Sequence, residues 1–140
     1  MNIFIHRDEW AHLVDDVEKR KFNDVKASLH LNRCAARVKM GKFSDAEWDA
    51  DRAVEYGGKT ARGMYFRGVC KLEKLRGEVE KEGRGEYWDL ERASALHGAA
   101  VDDLKESEEC LGSLDAGVKR SRSELAKMLR VIEKAEKVRS

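Results

Sequence analysis

The sequence predicts an all-α protein built as an antiparallel array of helix pairs, and three observations carry that expectation. Proline is absent from all 140 residues, where ordinary usage of about 5% would supply about seven. Charged residues make up 39% of the chain, enough to solvate the outer faces of several helices. Apolar residues recur at helical spacing, and no period-2 alternation bounded by turn signals competes with them, so no sheet is expected.

The stretch 29–56 shows how the helices pair. It reads as a helix, a tight turn at Gly41 and a second helix. Cys34, Ala36, Ala46, Ala50 and Ala53 mark a close helix contact, and Leu29, Leu31, Met40, Phe43 and Trp48 supply large partners for them. Gly41 suits a helix stop, because it takes positive φ without strain. Ser44 with Glu47 three residues on reads as a capping box. A shift of about 34 residues brings up a second copy. Leu31 then falls on Tyr65, Arg33 on Arg67, Cys34 on Gly68 and Ala36 on Cys70. The second helix of that copy is displaced: Ala46, Asp49 and Ala50 find their best match in Ala100, Asp103 and Leu104, an offset of 54. About 20 residues are therefore inserted beyond the usual period. A competing alignment sets Gly85-Glu86-Tyr87 against Gly41-Lys42-Phe43.

The remaining elements follow in order. Ile3, Phe4 and Ile5 are too few to assign. Asp8 is placed to cap a helix carrying Trp10, Leu13, Val14, Val17 and Phe22, which either continues towards Val25 or breaks near Asn23-Asp24. Gly57-Gly58 stops the helix before it. The next helix starts near Lys59 and reaches Arg76 or beyond; the charged run 76–86 that follows is a helix extension or a loop, and is expected to move. Helical spacing resumes from Tyr87 through Trp88, Leu90 or Glu91, Leu96, Ala99 or Ala100, and Leu104, and the stretch 111–117 is another stop. A last helix carries Val118, Leu125, Leu129 and Ile132 on one stripe and would cap the open end of the array.

With these motifs in place the chain resembles a known family. The run L-x-x-N-R-x-A from Leu29, the K-x-G turn at Gly41, the helix F-x-x-A-x-x-D-A-x-x-A from Phe43 and the Y-x-R-G start at Tyr65 are similar to tetratricopeptide repeats of the immunophilin-type and Hop-type co-chaperones. The likeness covers residues 26–75 well and 96–138 loosely. It implies one domain of tetratricopeptide-like superhelix: a partial first repeat at 9–25, a repeat at 26–57, a repeat at 59–111 with an insertion at about 77–95, and a capping helix at 114–138. The leading helix of the first repeat has no counterpart. That absence would leave the inner face of the first helices partly uncovered, a surface for homo-oligomer formation.

The resemblance also implies a groove that grips an extended peptide, such as the C-terminal tail of a heat-shock chaperone, by charge-assisted hydrogen bonds to carboxylates. Asn32 stands at the family's central clamp asparagine and Lys39 at a lysine seven residues later. Arg62 takes the place of the next clamp lysine, keeping the charge with different geometry. Phe66 stands where a clamp arginine is expected and removes a carboxylate ligand; Arg67 is beside it, about 100° round the helix. These five residues are the expected peptide-binding set, and Phe66 would make the groove more apolar.

Other chemistry finds less support. A net charge of +1 gives no global field for nucleic acid or an anionic membrane. The basic C-terminal helix, with Lys119, Arg120, Arg122, Lys127, Arg130, Lys134, Lys137 and Arg139, is the alternative, a surface for RNA or an acidic partner. The stretch 53–60 fits a relaxed phosphate-loop pattern, yet a helix rather than a strand precedes it. His6, His12, His30 and His97 lack metal-ligand spacing, and no nucleophile–base pair is evident. The expectation is a non-enzymatic, cofactor-free interaction module. Cys34, Cys70 and Cys110 read as small core residues of a reducing compartment. With no apolar run of membrane length and no signal-peptide pattern at the start, the cytoplasm is expected.

Overall fold

The computed structural model describes residues 7–111 and 115–140, with side chains from 16 to 110 and from 115 onward. These residues form five helices and no strand: α1 (Arg7–Lys39), α2 (Phe43–Gly57), α3 (Ala61–Gly83), α4 (Leu90–Leu111) and α5 (Ala116–Arg139). Ile3, Phe4, Ile5, His6, Gly112, Ser113 and Leu114 lie outside the described residues, as do the side chains of Trp10, His12, Leu13 and Val14. The helices pack antiparallel in chain order. α2 lies against α1 and α3, and α4 against α3 and α5; α1 also touches α3, and α3 touches α5, whereas α2 and α4 do not meet. The odd-numbered helices thus form one continuous layer.

Several local expectations need correction. No break occurs at Asn23-Asp24: the chain from 7 to 39 holds neither glycine nor proline, and it forms one 33-residue helix. Asp8 falls inside that helix rather than capping it. The Ser44–Glu47 capping box is not made, because α2 starts at Phe43 and its N-cap, Lys42, has no side-chain bond. Glu47 pairs instead with Lys74 on α3. The run after Arg76 remains helical to Gly83, while Tyr87 and Trp88 precede α4 rather than opening it. Leu29, Met40 and Trp48 are exposed instead of filling the helix contact, and Ala36 is exposed too. Gly41 and Gly58 do end their helices, with φ of 75° and 78°, and Thr60 caps α3 by accepting from the Gly63 amide.

One buried carboxylate ties each of two helix pairs together, Asp49 for α1 and α2 and Asp103 for α3 and α4. Asp49 of α2 has no solvent exposure. Arg33 Nη2 and Arg37 Nη1 of α1 donate to its two oxygens at 2.7 and 2.6 Å, and His30 Nδ1 lies 2.9 Å from Oδ1. Asp103 of α4 is held in the same way. Arg67 bridges both its oxygens at 3.0 and 3.1 Å, and Lys71 Nζ donates at 2.7 Å. In both pairs the cations sit four residues apart, on one face of the earlier helix. Arg33 and Arg37 shifted by 34 residues are Arg67 and Lys71, so the repeat seen in the sequence is a repeated ionic clasp.

The clasp also locates the insertion. Gly41 lies eight residues after Arg33 and eight before Asp49; Gly85, with φ of 67°, lies eighteen after Arg67 and eighteen before Asp103. The two alignments left open by the sequence are therefore both satisfied. Ten extra residues lengthen each arm of the α3–α4 hairpin, about three turns per arm. The longer arms, with α5, enclose the main core: Leu72, Leu75, Trp88, Ala93, Leu104, Leu125 and Ile132. Trp88 anchors the hairpin tip. Its indole donates to Glu82, and its carbonyl accepts from Arg139 at 2.9 Å. Gly68 lets α3 and α4 approach, since a Cβ there would stand 3.0 Å from Leu104. α1, α2 and the start of α3 share smaller clusters, with Cys34, Ala46, Ala50 and Cys70 in one and Ala27, Leu31 and Ala53 in the other.

Two predictions follow from this packing. Trp88→Ala empties a fully buried site and lowers the unfolding free energy by about 3–5 kcal/mol, read from urea denaturation; an unchanged midpoint would contradict the packing. The second concerns pH. Burial raises the Asp49 carboxyl, but hydrogen bonds from Arg33 and His30 with the Arg33 and Arg37 charges outweigh it and hold the group below its ordinary value. A carboxyl so depressed contributes stability above the unfolded value of about 3.9 and loses it as pH falls through the lower folded value. The stability gap between wild type and Asp49→Asn should thus be constant near neutrality and shrink below about pH 4. A gap that widens on acidification would refute the clasp.

Candidate functional site

The layer of odd-numbered helices presents the candidate site. At 100° per residue, Arg62, Phe66, Val69, Glu73 and Arg76 fall on one face of α3. At the α1 seam Arg62 Nη2 donates to Asn32 Oδ1 at 3.2 Å. The two residues are thirty apart in the chain and meet because α1 and α3 run side by side. The Arg62 guanidinium lies 5.5 Å from the centre of the Phe66 ring, and that ring packs on both small core clusters. Asn32 and Arg62 are exposed, and Phe66 is partly buried. Together they form a cation and an amide over an apolar floor, a pattern able to receive a carboxylate together with an apolar side chain.

Lys39 is exposed two turns further along α1, with no ion-pair partner among the described residues. Arg67 stands apart. Its guanidinium is committed to Asp103 and to Asp51, 3.5 Å away, so it holds α2, α3 and α4 together and is not free for a peptide. At the far end of the same face Arg76 pairs with Glu73 at 3.1 Å and with Glu124 of α5. Beside this bridge a cleft of about 360 Å³ opens between α3 and α5, floored by Val79, Met128 and Val131.

The structural roles of His30, Arg37 and Lys71 were not read from the sequence. Their signal was present as cations spaced i, i+4 on one helix and an aspartate at a repeated position on the next. His30 is further held by rings, stacked on Tyr56 with centroids 5.8 Å apart and edge-on to Trp48 at 5.6 Å. Cys34 and Cys70 are buried as expected, and the bond that the Cys70 thiol donates to Cys34, together with burial, pushes the Cys70 thiol far up. Cys110 departs from expectation: it is exposed, with Sγ 3.6 Å from the Lys59 carbonyl. Lys59 itself pairs with Glu106 after a helix and a turn, not in a phosphate-cradling loop after a strand.

On α5, Lys119, Arg120, Lys127, Arg130, Lys134 and Lys137 are exposed and share a sector of about 100°, while Arg122 is bound to Glu108 at 2.8 Å. Among the described residues no group of His, Cys, Asp and Glu is arranged to hold a metal, and no helix is long and apolar enough to cross a membrane. No family model, curated protein or solved structure matches the chain.

Proposed function

We propose that the protein is a non-catalytic interaction module of tetratricopeptide type, which binds an extended peptide along the layer formed by α1, α3 and α5, with α5 as its capping helix. One observation carries the reading: Asn32 and Arg62, thirty residues apart, meet on this layer at 3.2 Å. Arg62 offers a charge, Asn32 an amide, Lys39 a second charge further along and Phe66 an apolar contact. Such a set suits a peptide with a terminal or side-chain carboxylate next to an apolar residue, as in an acidic chaperone tail. Arg67 is left out of the binding set, because Asp103 and Asp51 already occupy it. The test is fluorescence anisotropy with a labelled acidic peptide carrying a free C-terminus, against its C-terminal amide. The free acid should bind more tightly than the amide, and Arg62→Ala should weaken it about tenfold, the loss of one charge-assisted bond. Absence of binding at millimolar peptide would dismiss the reading.

A second reading rests on the α5 cations Lys119, Arg120, Lys127, Arg130, Lys134 and Lys137, exposed and without an ion-pair partner among the described residues, whose regular display favours phosphate contacts along a nucleic-acid backbone. It predicts retention of an RNA duplex that weakens steeply with salt and is lost when Lys127, Arg130 and Lys134 are all replaced by Glu. Retention unchanged by that triple substitution would exclude α5 as the surface.

A further inference from the structure

The outer face of α1 points to a second copy of this chain. Phe22, Val25 and Leu29 are 61%, 56% and 63% exposed; they stand on the middle of α1, where its buried face begins only at Ala27 and no described side chain from 16 to 26 is buried. On the helical wheel they share a sector of about 80° with Glu18 and Arg33, opposite the core positions Ala27, Leu31 and Cys34. Among the described residues no other helix covers that sector: α1 meets only α2 and α3.

The order of residues within the sector is self-complementary. The midpoint between Phe22 and Leu29 is also the midpoint between Glu18 and Arg33. When two such helices lie antiparallel about that point, Phe22 faces Leu29 of the other copy, the two Val25 side chains meet near the axis, and Glu18 faces Arg33. A two-fold axis makes every contact twice, so one favourable register closes the interface with nothing left over. Arg33 keeps capacity for the second carboxylate. Its Nε and Nη2 serve Asp49, its side chain is half exposed, and Nη1 has no partner among the described residues. Like charges would oppose a parallel pairing, which sets Glu18 against Glu18 and Arg33 against Arg33.

We propose that two copies of this chain associate through α1, antiparallel, with Phe22, Val25 and Leu29 at the centre and Glu18–Arg33 pairs at both ends. The inference is independent of peptide binding on the neighbouring face. Sedimentation equilibrium tests it first. Wild type at tens of micromolar should give twice the 16.0 kDa chain mass, and Leu29→Glu should return the single-chain mass with an unchanged helical circular dichroism spectrum. Glu18→Lys should weaken association at low salt, by about tenfold for the loss of two exposed pairs. Orientation is tested by cysteine exchange in a Cys110→Ser background. A mixture of Phe22→Cys and Leu29→Cys chains should form the mixed disulfide, and neither chain alone should cross-link. A wild-type monomer at these concentrations, a Leu29→Glu dimer, or self-cross-linking of Phe22→Cys would each overturn the proposal; the first would leave the face to a different partner.

Discussion

The fold depends on two carboxylates with nowhere to go but their partners. Asp49 and Asp103 are buried at the contact between successive antiparallel helices, where an unpaired charge would be prohibitively costly. Each is met by two cations one helical turn apart on the earlier helix. Those cations reach their aspartate only when the two helices stand in one rotation and one axial register. Alanines at 46, 50 and 53 bring the first pair close, but a smooth small-residue surface does not fix where the helices stop sliding. The ionic clasp does so, which is the use of buried polar groups best attested elsewhere, register rather than raw stability.

Much of this was legible in the residues because the clasp is local in pattern. The cations recur with the 34-residue shift that aligns Arg33 with Arg67, and Asp49 recurs as Asp103 at an offset of 54, so the parts of the clasp show in the residues although their pairing does not. The residues point to an insertion at about 77–95 and leave two alignments open. Gly41 and Gly85 argued for one alignment and Asp49 and Asp103 for another, and only the hairpin geometry lets ten residues per arm satisfy both. Helix caps were read less well. Ser44 and Glu47 have the spacing of a capping box, yet Lys74 on the next helix captures the glutamate, a tertiary contact that local pattern cannot foresee. Trp88 was assigned to a helix by its spacing with Leu96 and Ala100. In the structure it plugs the tip of the bundle before α4 begins, because its bulk fills the space opened by the longer arms.

The candidate site shows the same division. Asn32 and Arg62 are singled out by the resemblance to clamp positions, and the structure brings the two side chains together because α1 and α3 run parallel and side by side. Arg67 was drawn into the same set by its neighbourhood to Phe66. One residue along a helix is about 100° of rotation, and that rotation carries Arg67 off the α1 seam and onto Asp103 and Asp51. The exposed Leu29, Met40 and Trp48 were read as core because apolar residues beside alanines usually pack inward. What the local pattern lacks is which side of α1 receives a neighbour.

The two halves of the stack are held by different means, and this bears on how the surface can work. α3, α4 and α5 close around Trp88 and large aliphatic side chains, each contributing on the order of 1.5–3 kcal/mol on burial. α1 and α2 close around alanines, Cys34 and Leu31, with Cys70 of α3 and the partly buried Val38, Tyr56 and Phe66, less fully buried apolar area than the larger core, and they lean on the Asp49 clasp for the difference. Local opening should therefore begin at α1 and α2, since a region poor in buried apolar area unfolds at lower free energy than a large core. The face bearing Asn32 and Arg62 spans the boundary between these halves. Any ligand that bridges α1 and α3 fastens the weaker half to the stronger, so part of its binding free energy appears as ordering of α1. The same holds for whatever covers Phe22, Val25 and Leu29, because the first helix pair lacks the buried area that the second pair obtains from α5.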